Sequence, residues 1–397
     1  MKDLKEIRTW VQSELQSCIL FWLKKGMDPV NGGIYTCLDR FGNVYSTDKS
    51  VWMQGRGAWT FAELCLLYGR KAEWEEASAS CIDFLENHCV NRSAGDRLYF
   101  AVTGDGRPLR QRRYWHSESF YVQANAAYGA LTGKKEHIER ARKYYEMLYR
   151  LNNGDLKDPT GLGPKVDPQT RKTRGLSFRM MYLNISNLME RYDPPNGELY
   201  RKRAFESAEE IVKYHFKPEL GCTLESVGPN GEFLSEASET RVVNPGHDIE
   251  CCWFLFELAC RARDSRLKET AMEMFDLAVE KGWDEEYGGL KIYIDALGKP
   301  VVSYEHDVKF WWPHNELVIA ALMLYMETKD ERYLSWFITT INYCKDHFSD
   351  PLFGEWYGYL NREGVPATGM VKGTMFKGPF HVPRMLMMAD QMLGKLE

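Results

Sequence analysis

What the sequence lacks narrows its chemistry first. It contains no GxxxxGK[ST] phosphate loop, no GxGxxG, no HExxH and no GxSxG. The common signatures of nucleotide hydrolysis, dinucleotide binding, zinc peptidases and α/β-hydrolases are therefore missing. Its ten cysteines form neither a CxxC pair nor a Cys/His spacing suited to zinc. They read as reduced thiols in apolar helical patterns, and no metal site is expected. No stretch reaches the ~18 uninterrupted apolar residues of a membrane span. Charge is balanced, with 51 Lys and Arg against 56 Asp and Glu for a net of −5. Without long runs of one sign there is no electrostatic case for nucleic acid or an anionic membrane as partner. The start, Met-Lys-Asp-Leu-Lys-Glu-Ile-Arg, has no apolar signal-peptide core, so the expected location is the cytoplasm.

What is present is an ordinary globular composition over 397 residues, 44% hydrophobic and 27% charged, together with an internal repeat. Short alternating runs closing on a turn glycine recur at Gly32–Gly42, Arg97–Gly106, Gly221–Gly231, Gly288–Gly298 and Gly354–Gly364. Each reads as a small β-hairpin. The closing glycines are separated by 64, 125, 67 and 66 residues. The doubled interval predicts a degenerate sixth copy at Gly161-Leu-Gly-Pro-Lys-Val-Asp-Pro168.

Between hairpins lie pairs of helical patterns, such as Phe120, Ala124, Ala127 and Leu131 followed by Ile138, Ala141, Tyr145 and Leu148. The last pattern, Pro379–Leu393, takes the opening helix Leu4–Lys24 as its partner. Six pairs in which the last needs the first describe a closed ring rather than a solenoid with polar caps. The expected fold is all-α, an (α/α)6 barrel with short β-hairpins between helix pairs, in one domain over residues 1–397.

On a ring, a shared pocket draws on equivalent positions of different repeats, here the starts of the first helices. Asn244-Pro-Gly-His-Asp-Ile-Glu250 is a turn followed by a helix, which places His247 at a helix N-terminus with Glu250 three residues on. Phe376-Lys-Gly-Pro-Phe-His-Val-Pro-Arg384 offers His381 and Arg384 in the same setting. The register adds Arg56, Trp115 and Glu118, and Trp312 and Glu316 from Trp311-Trp-Pro-His-Asn-Glu. A buried ion pair of Arg56 with Glu63 or Glu316 is the competing structural role for that arginine. His306 and His314 are open between site and core, whereas His88, His137, His215 and His347 read as solvated helix ends. Two histidines across a cavity with arginines between them suit proton abstraction next to a carbonyl. Neutral imidazole accepts, imidazolium donates, and a fixed cation holds the enolate oxygen.

Gln54-Gly-Arg56, Asn244-Pro-Gly-His247-Asp-Ile-Glu250, Trp311-Trp-Pro-His-Asn-Glu316 and Gly378-Pro-Phe-His381-Val-Pro-Arg384 resemble, in order and over essentially the whole chain, the N-acylglucosamine 2-epimerase family. The resemblance implies an isomerase working on a small-molecule sugar through an open-chain enediol or enolate. It implies His247 and His381 as the acid/base pair and Arg56 and Arg384 on the oxygen, with Glu250 and Glu316 orienting substrate or histidines. The third repeat's first helix, Leu176-Ser-Phe-Arg-Met-Met-Tyr-Leu-Asn184, has no histidine and is similar to the acylglucosamine branch. That favours interconversion of N-acylglucosamine and N-acylmannosamine, with Asn184 among the substrate contacts. An epimerase or aldose–ketose isomerase of an unsubstituted sugar (mannose or cellobiose type) is the alternative. A glycosidase or a non-turning-over binding module on the same fold is the alternative of another class. The resemblance implies no required cofactor and ATP as a candidate allosteric activator, for which the basic stretch Arg171-Lys-Thr-Arg174 is the one candidate site; a homodimer is the candidate assembly.

Overall fold

A computed structural model describes residues 2–112, 114–367 and 369–396. The inner wall consists of α2 (Val51–Tyr68), α4 (His116–Thr132), α6 (Ser177–Tyr192), α8 (Pro245–Ala262), α10 (Trp311–Thr328) and α12 (His381–Gly394). Outside them lie α1 (Lys2–Phe21), α3 (Ala72–Phe84), α5 (Lys135–Asn153), α7 (Gly197–Glu210), α9 (Ser265–Gly282) and α11 (Glu331–His347). Every inner helix packs on its two neighbours around the ring, including α12 on α2, and on one outer helix, with α1 backing α12. The inner helices are buried almost all round, as α10 shows by burying twelve residues from Trp311 to Leu324. The outer helices carry one apolar stripe each. The (α/α)6 ring read from the glycine spacing is the fold observed. Three outer helices continue as wider π-type turns to Gly26, Cys89 and His215, which is why their apolar patterns outrun the α-helix proper. Among the described residues no helix is long and apolar enough to cross a membrane.

The hairpins stitch neighbouring repeats. Each inner-helix entry strand pairs antiparallel with the hairpin of the next repeat: Lys49–Ser50 with Ala101–Val102, Arg174–Gly175 with Ser226–Val227, Val242–Val243 with Ile294–Asp295, and Lys309–Phe310 with Tyr359–Leu360. The ring closes by the same device. The Leu38 N–H donates to Gly373 O at 3.3 Å, and the Lys372 N–H donates back to Leu38 O at 3.0 Å. Buried lysines of these entry strands tie two hairpins together. Lys49 Nζ donates to Asp28 (2.6 Å), Gly32 O (2.7 Å) and Gly104 O (3.0 Å), and Lys309 repeats the pattern with Asp284 (3.2 Å) and Arg362 O (2.5 Å).

The periodic glycine has a steric cause. Gly106 and Gly364 adopt φ of 89° and 84°, and a Cβ on either would fall 2.2 Å from His88 Nδ1 or 2.6 Å from His347 Nδ1, at the end of the preceding outer helix. Only glycine supplies both the left-handed backbone and the missing side chain. Gly364→Ala is therefore expected to cost about 1–3 kcal/mol. The check is a lowered denaturant midpoint at unchanged m-value.

The expected sixth hairpin is not formed. Residues 154–173 run as successive turns without a strand, because Pro159, Pro164 and Pro168 remove the ladder donors a strand needs. Pro108–Arg110 instead folds back on Ala101–Val102. His137 and His215 also depart from expectation, being buried rather than solvated. His137 Nδ1 lies 3.1 Å from Asn125 Oδ1, and His215 Nδ1–H donates to Leu224 O at 2.8 Å.

Candidate active site

The starts of the inner helices converge on one histidine pair. Helix α8 begins with Asn244, whose side chain caps it by accepting the His247 N–H at 3.2 Å, and with Pro245 in its first turn, a pre-organised start. Gly246 is required here because a Cβ would lie 2.7 Å from the Trp312 ring. The close approach lays that indole beside His247, with ring centroids 5.0 Å apart. The same indole also meets His381, the first residue of α12, with centroids 5.9 Å apart. The two imidazoles thus share one aromatic wall, a surface suited to an apolar sugar face.

Each histidine leans on its own carboxylate. His247 Nδ1–H donates to Glu225 Oε1 at 2.6 Å, and His381 Nδ1–H donates to Glu316 Oε1 at 2.8 Å. In both, the Nδ1 bond fixes the tautomer and leaves Nε2 for chemistry. Glu316 also accepts from Trp253 Nε1 (2.9 Å) and from Arg384 Nη2, whose guanidinium reaches Glu250 Oε1 at 3.5 Å.

Arg56 is different. Gly55 allows α2 to press on the backbone of Phe120, since a Cβ would lie 2.9 Å from it. The Arg56 guanidinium is held between the Phe120 and Phe380 rings, 4.1 and 4.6 Å from their centroids. Its Nε is buried without a partner. The ion pair with Glu63 or Glu316 is not made: Glu63 pairs with Arg191, and Glu316 with Arg384. Among the described residues no carboxylate pairs with this guanidinium, a costly placement for a half-buried cation that suits a negative charge arising only during reaction.

The field splits the two histidines. Burial works against the His247 cation, but Glu225, then Glu250 and Asp248, raise its pKa to about 9. Burial lowers His381 to about 3, reinforced by Arg56 and Arg384 against the opposing pull of Glu316. Burial, the Arg384 charge beside it and Glu316 compete at Glu250, where desolvation and Glu316 win and push its pKa up. Glu316 is held down by Arg384 and His381 in spite of burial. Burial brings Arg56 to about 9, with Glu250 and Arg384 acting in opposite directions. Donor atoms of Glu250, Glu316 and His381 lie within 4.8 Å of one another, a spacing a metal ion could bridge. Arg384 Nη2 contacts all three, so a guanidinium already holds the place a cation would take.

Of the residues read from sequence, Arg56, His247, Glu250, Trp312, Glu316, His381 and Arg384 form this cluster. Asn184 lines a cavity of about 90 Å³ with Gln123, Trp59, Trp253 and Arg384. Glu118 does not belong. It is fully buried, accepting from Arg97 Nε (2.6 Å) and the Leu98 N–H (2.8 Å), and is spent on holding a hairpin. Trp115 also stands apart, its ring meeting Phe178 edge-on at 5.2 Å between α4 and α6. His314 is a core residue, donating to Phe310 O (2.7 Å) and accepting the Leu290 N–H (2.9 Å). Arg171 and Arg174 are paired with Glu239 and Glu210. Three site residues were not picked out. Glu225 lies in a hairpin with no distinguishing signature. His116, set edge-on to Trp52 at 5.2 Å, is lowered to about 3 by burial, Arg56 and His247. Gln123 has both amide atoms buried without a partner; Glu118 plus five is a readable position on the same inner helix.

A family model described as N-acylglucosamine 2-epimerase (GlcNAc 2-epimerase) matches residues 33–377. The chain is 35% identical to N-acylglucosamine 2-epimerase of Rattus norvegicus over 401 residues, covering 100% of this chain and 94% of that one. It is 24% identical to cellobiose 2-epimerase of Ruminococcus albus, covering 95% and 96%. The solved structure of cellobiose 2-epimerase from Spirochaeta thermophila superposes with a TM-score of 0.82 at 21% identity, covering 100% of this chain and 98% of that one. That likeness speaks for the (α/α)6 fold.

Proposed function

The chain belongs to the N-acylglucosamine 2-epimerase family, and from that premise we propose that it interconverts N-acylglucosamine and N-acylmannosamine through the His247–His381 pair. The observation carrying this reading is two imidazoles on one indole, each held through Nδ1 by a carboxylate, beside the unpaired Arg56. In the open-chain sugar the proton on C2 is acidified by the C1 carbonyl. One histidine Nε2 takes that proton, the C–H electron pair moves onto the C1 oxygen, and Arg56 and Arg384 stabilise the enolate. The opposite histidine returns a proton to the other face of C2 and the carbonyl re-forms. Trp312 supplies the stacking wall, and Asn184 and Gln123 offer hydrogen bonds to the polyol.

A glycosidase would set two carboxylates across a bond. Glu250 and Glu316 instead converge on one guanidinium, which speaks against that class. The ten cysteines are free, consistent with the cytoplasm as the proposed location.

Proton NMR in D2O with N-acetylmannosamine, mannose and cellobiose tests the substrate class. Appearance of N-acetylglucosamine with loss of the C2–H signal is expected. Conversion of mannose to fructose alone would overturn the assignment.

A further inference from the structure

We propose that Glu225 is a positioning residue that makes His247 the proton donor of the resting enzyme, leaving His381 as the base that opens the reaction. This rests on the two-histidine reading and adds a direction to it.

Glu225 is rigidly placed. Its backbone carbonyl accepts the Leu176 N–H at 2.9 Å, the next two residues pair with Arg174–Gly175, and the preceding Leu224 N–H donates to His215 O at 2.9 Å. The hairpin so anchored points its carboxylate at His247 Nδ1 across 2.6 Å, and no other side chain hydrogen-bonds to it among the described residues. Its charge is therefore undivided. Glu316, the counterpart at His381, is shared between Arg384, Trp253 and the imidazole.

The wider surroundings repeat the contrast. Facing His247 are Glu225 from its hairpin, Asp248 and Glu250 from its own helix, and the neutral His116 from α4. Facing His381 are Glu316 from α10, Arg384 from its own helix and Arg56 from α2. One imidazole has an undivided carboxylate on Nδ1 and two further acidic groups around it, and the other has a carboxylate shared with a guanidinium and a second guanidinium facing it. A proton shared between them resides on His247, and the directions of their titration agree.

The proton balance follows. His381 Nε2 accepts the C2 proton while the C–H pair moves to the C1 oxygen. His247 Nε2–H then protonates the opposite face of C2 and the enolate collapses to the carbonyl. The enzyme is left with His381 protonated and His247 neutral. It resets by exchanging protons with solvent before the next turnover from the same epimer.

The test compares Glu225→Gln, which keeps shape and acceptor but loses charge, with Glu225→Asp, which keeps the charge. The reading is kcat/KM against pH for N-acetylmannosamine and N-acetylglucosamine separately, taken on the epimer whose C2–H faces His381, which is the one still exchanged by His247→Asn. In the wild type the alkaline limb reports loss of the His247 proton and is expected near pH 9. In Glu225→Gln that limb moves toward the ordinary histidine value of ~6.5. A roughly 50- to 100-fold loss at pH 8.5 with little loss at pH 6 follows from that shift. Glu225→Asp restores most of the limb. A uniform loss at every pH with the limb unmoved would make Glu225 structural only and overturn the inference. If Glu225→Gln does not fold, the wild-type limb decides, and a limb below pH 8 overturns it as well. The underlying reading fails separately, by near-normal turnover of His247→Asn and His381→Asn.

Discussion

Replacing His381 by asparagine is expected to lower kcat/KM by about 10²–10⁴, and His247→Asn by a similar factor, with little change in folding. General acid–base catalysis contributes on that scale, and asparagine keeps a polar group of similar reach without a titrating nitrogen. His381 stands at the first position of α12, so the change leaves the helix interior intact. Glu316 retains Arg384 and the Trp253 N–H as partners, so no buried charge is stranded. The isotope pattern separates the two variants better than their rates do. In D2O the His381 variant should exchange the C2 proton of the epimer whose C–H faces His247 only as pH approaches 9, where His247 gives up its own proton, and without forming product. The His247 variant should show the reverse preference. Wild-type-like rates in both variants would end the two-base mechanism, and exchange in the same epimer by both would place the histidines on one side of C2. Because the field leaves His381 neutral and His247 charged, the His381 change removes the resting base and the His247 change the resting acid. At pH 6–8 neither loss is rescued by titration of the survivor, since about 3 and about 9 both lie outside that window.

How much of this could be read from residues alone depended on which structural element each residue occupied. The ring was legible because the closing glycines all take positive φ and, at Gly42, Gly106, Gly231 and Gly364, also press on the preceding helix end, and both constraints act on residue type. The seven-residue cluster was legible because the repeat register puts helix starts on one axis. Register gives the position of a backbone, not the direction of its side chain. Glu118, like Glu250, lies near the start of an inner helix, yet its carboxylate turns to Arg97 because that buried guanidinium lies on the adjoining hairpin. Glu225 escaped for the converse reason. It belongs to a hairpin that looked purely connective, and only the strand pairing with Arg174–Gly175 brings it to His247. The expected sixth hairpin failed because turn residues are common to hairpins and to prolyl loops, and only the latter lack donors.

The two arginines are expected to separate stability from turnover. Arg384→Met leaves Glu250 and Glu316 oxygens within 4.8 Å of one another with their shared cation gone. Breaking such a buried cluster typically costs 3–5 kcal/mol, roughly. That cost has a pH signature. A carboxyl whose pKa is raised on folding loses stability as pH climbs from its unfolded value of ~4.3 toward the folded one. The variant should therefore be nearest to wild type at about pH 4–5 and weakest above neutrality, read from denaturant melts at both ends. Arg384→Met with Glu316→Gln should recover much of the stability and none of the activity. Arg56→Met should behave oppositely. Among the described residues no carboxylate hydrogen-bonds to Arg56, its Nε is buried without a partner, and methionine can occupy the slot between Phe120 and Phe380. The folding midpoint is expected to hold or rise, offset only by the lost contact with those two rings, whereas kcat/KM falls by about 10²–10³ with the loss of the enolate's cation. A midpoint that drops as far for Arg56→Met as for Arg384→Met would mean that Arg56 serves the fold. A retained kcat/KM would place the developing negative charge elsewhere. A stable but inactive Arg56 variant identifies a cation that the folded chain carries at a cost and that only the reacting sugar can neutralise.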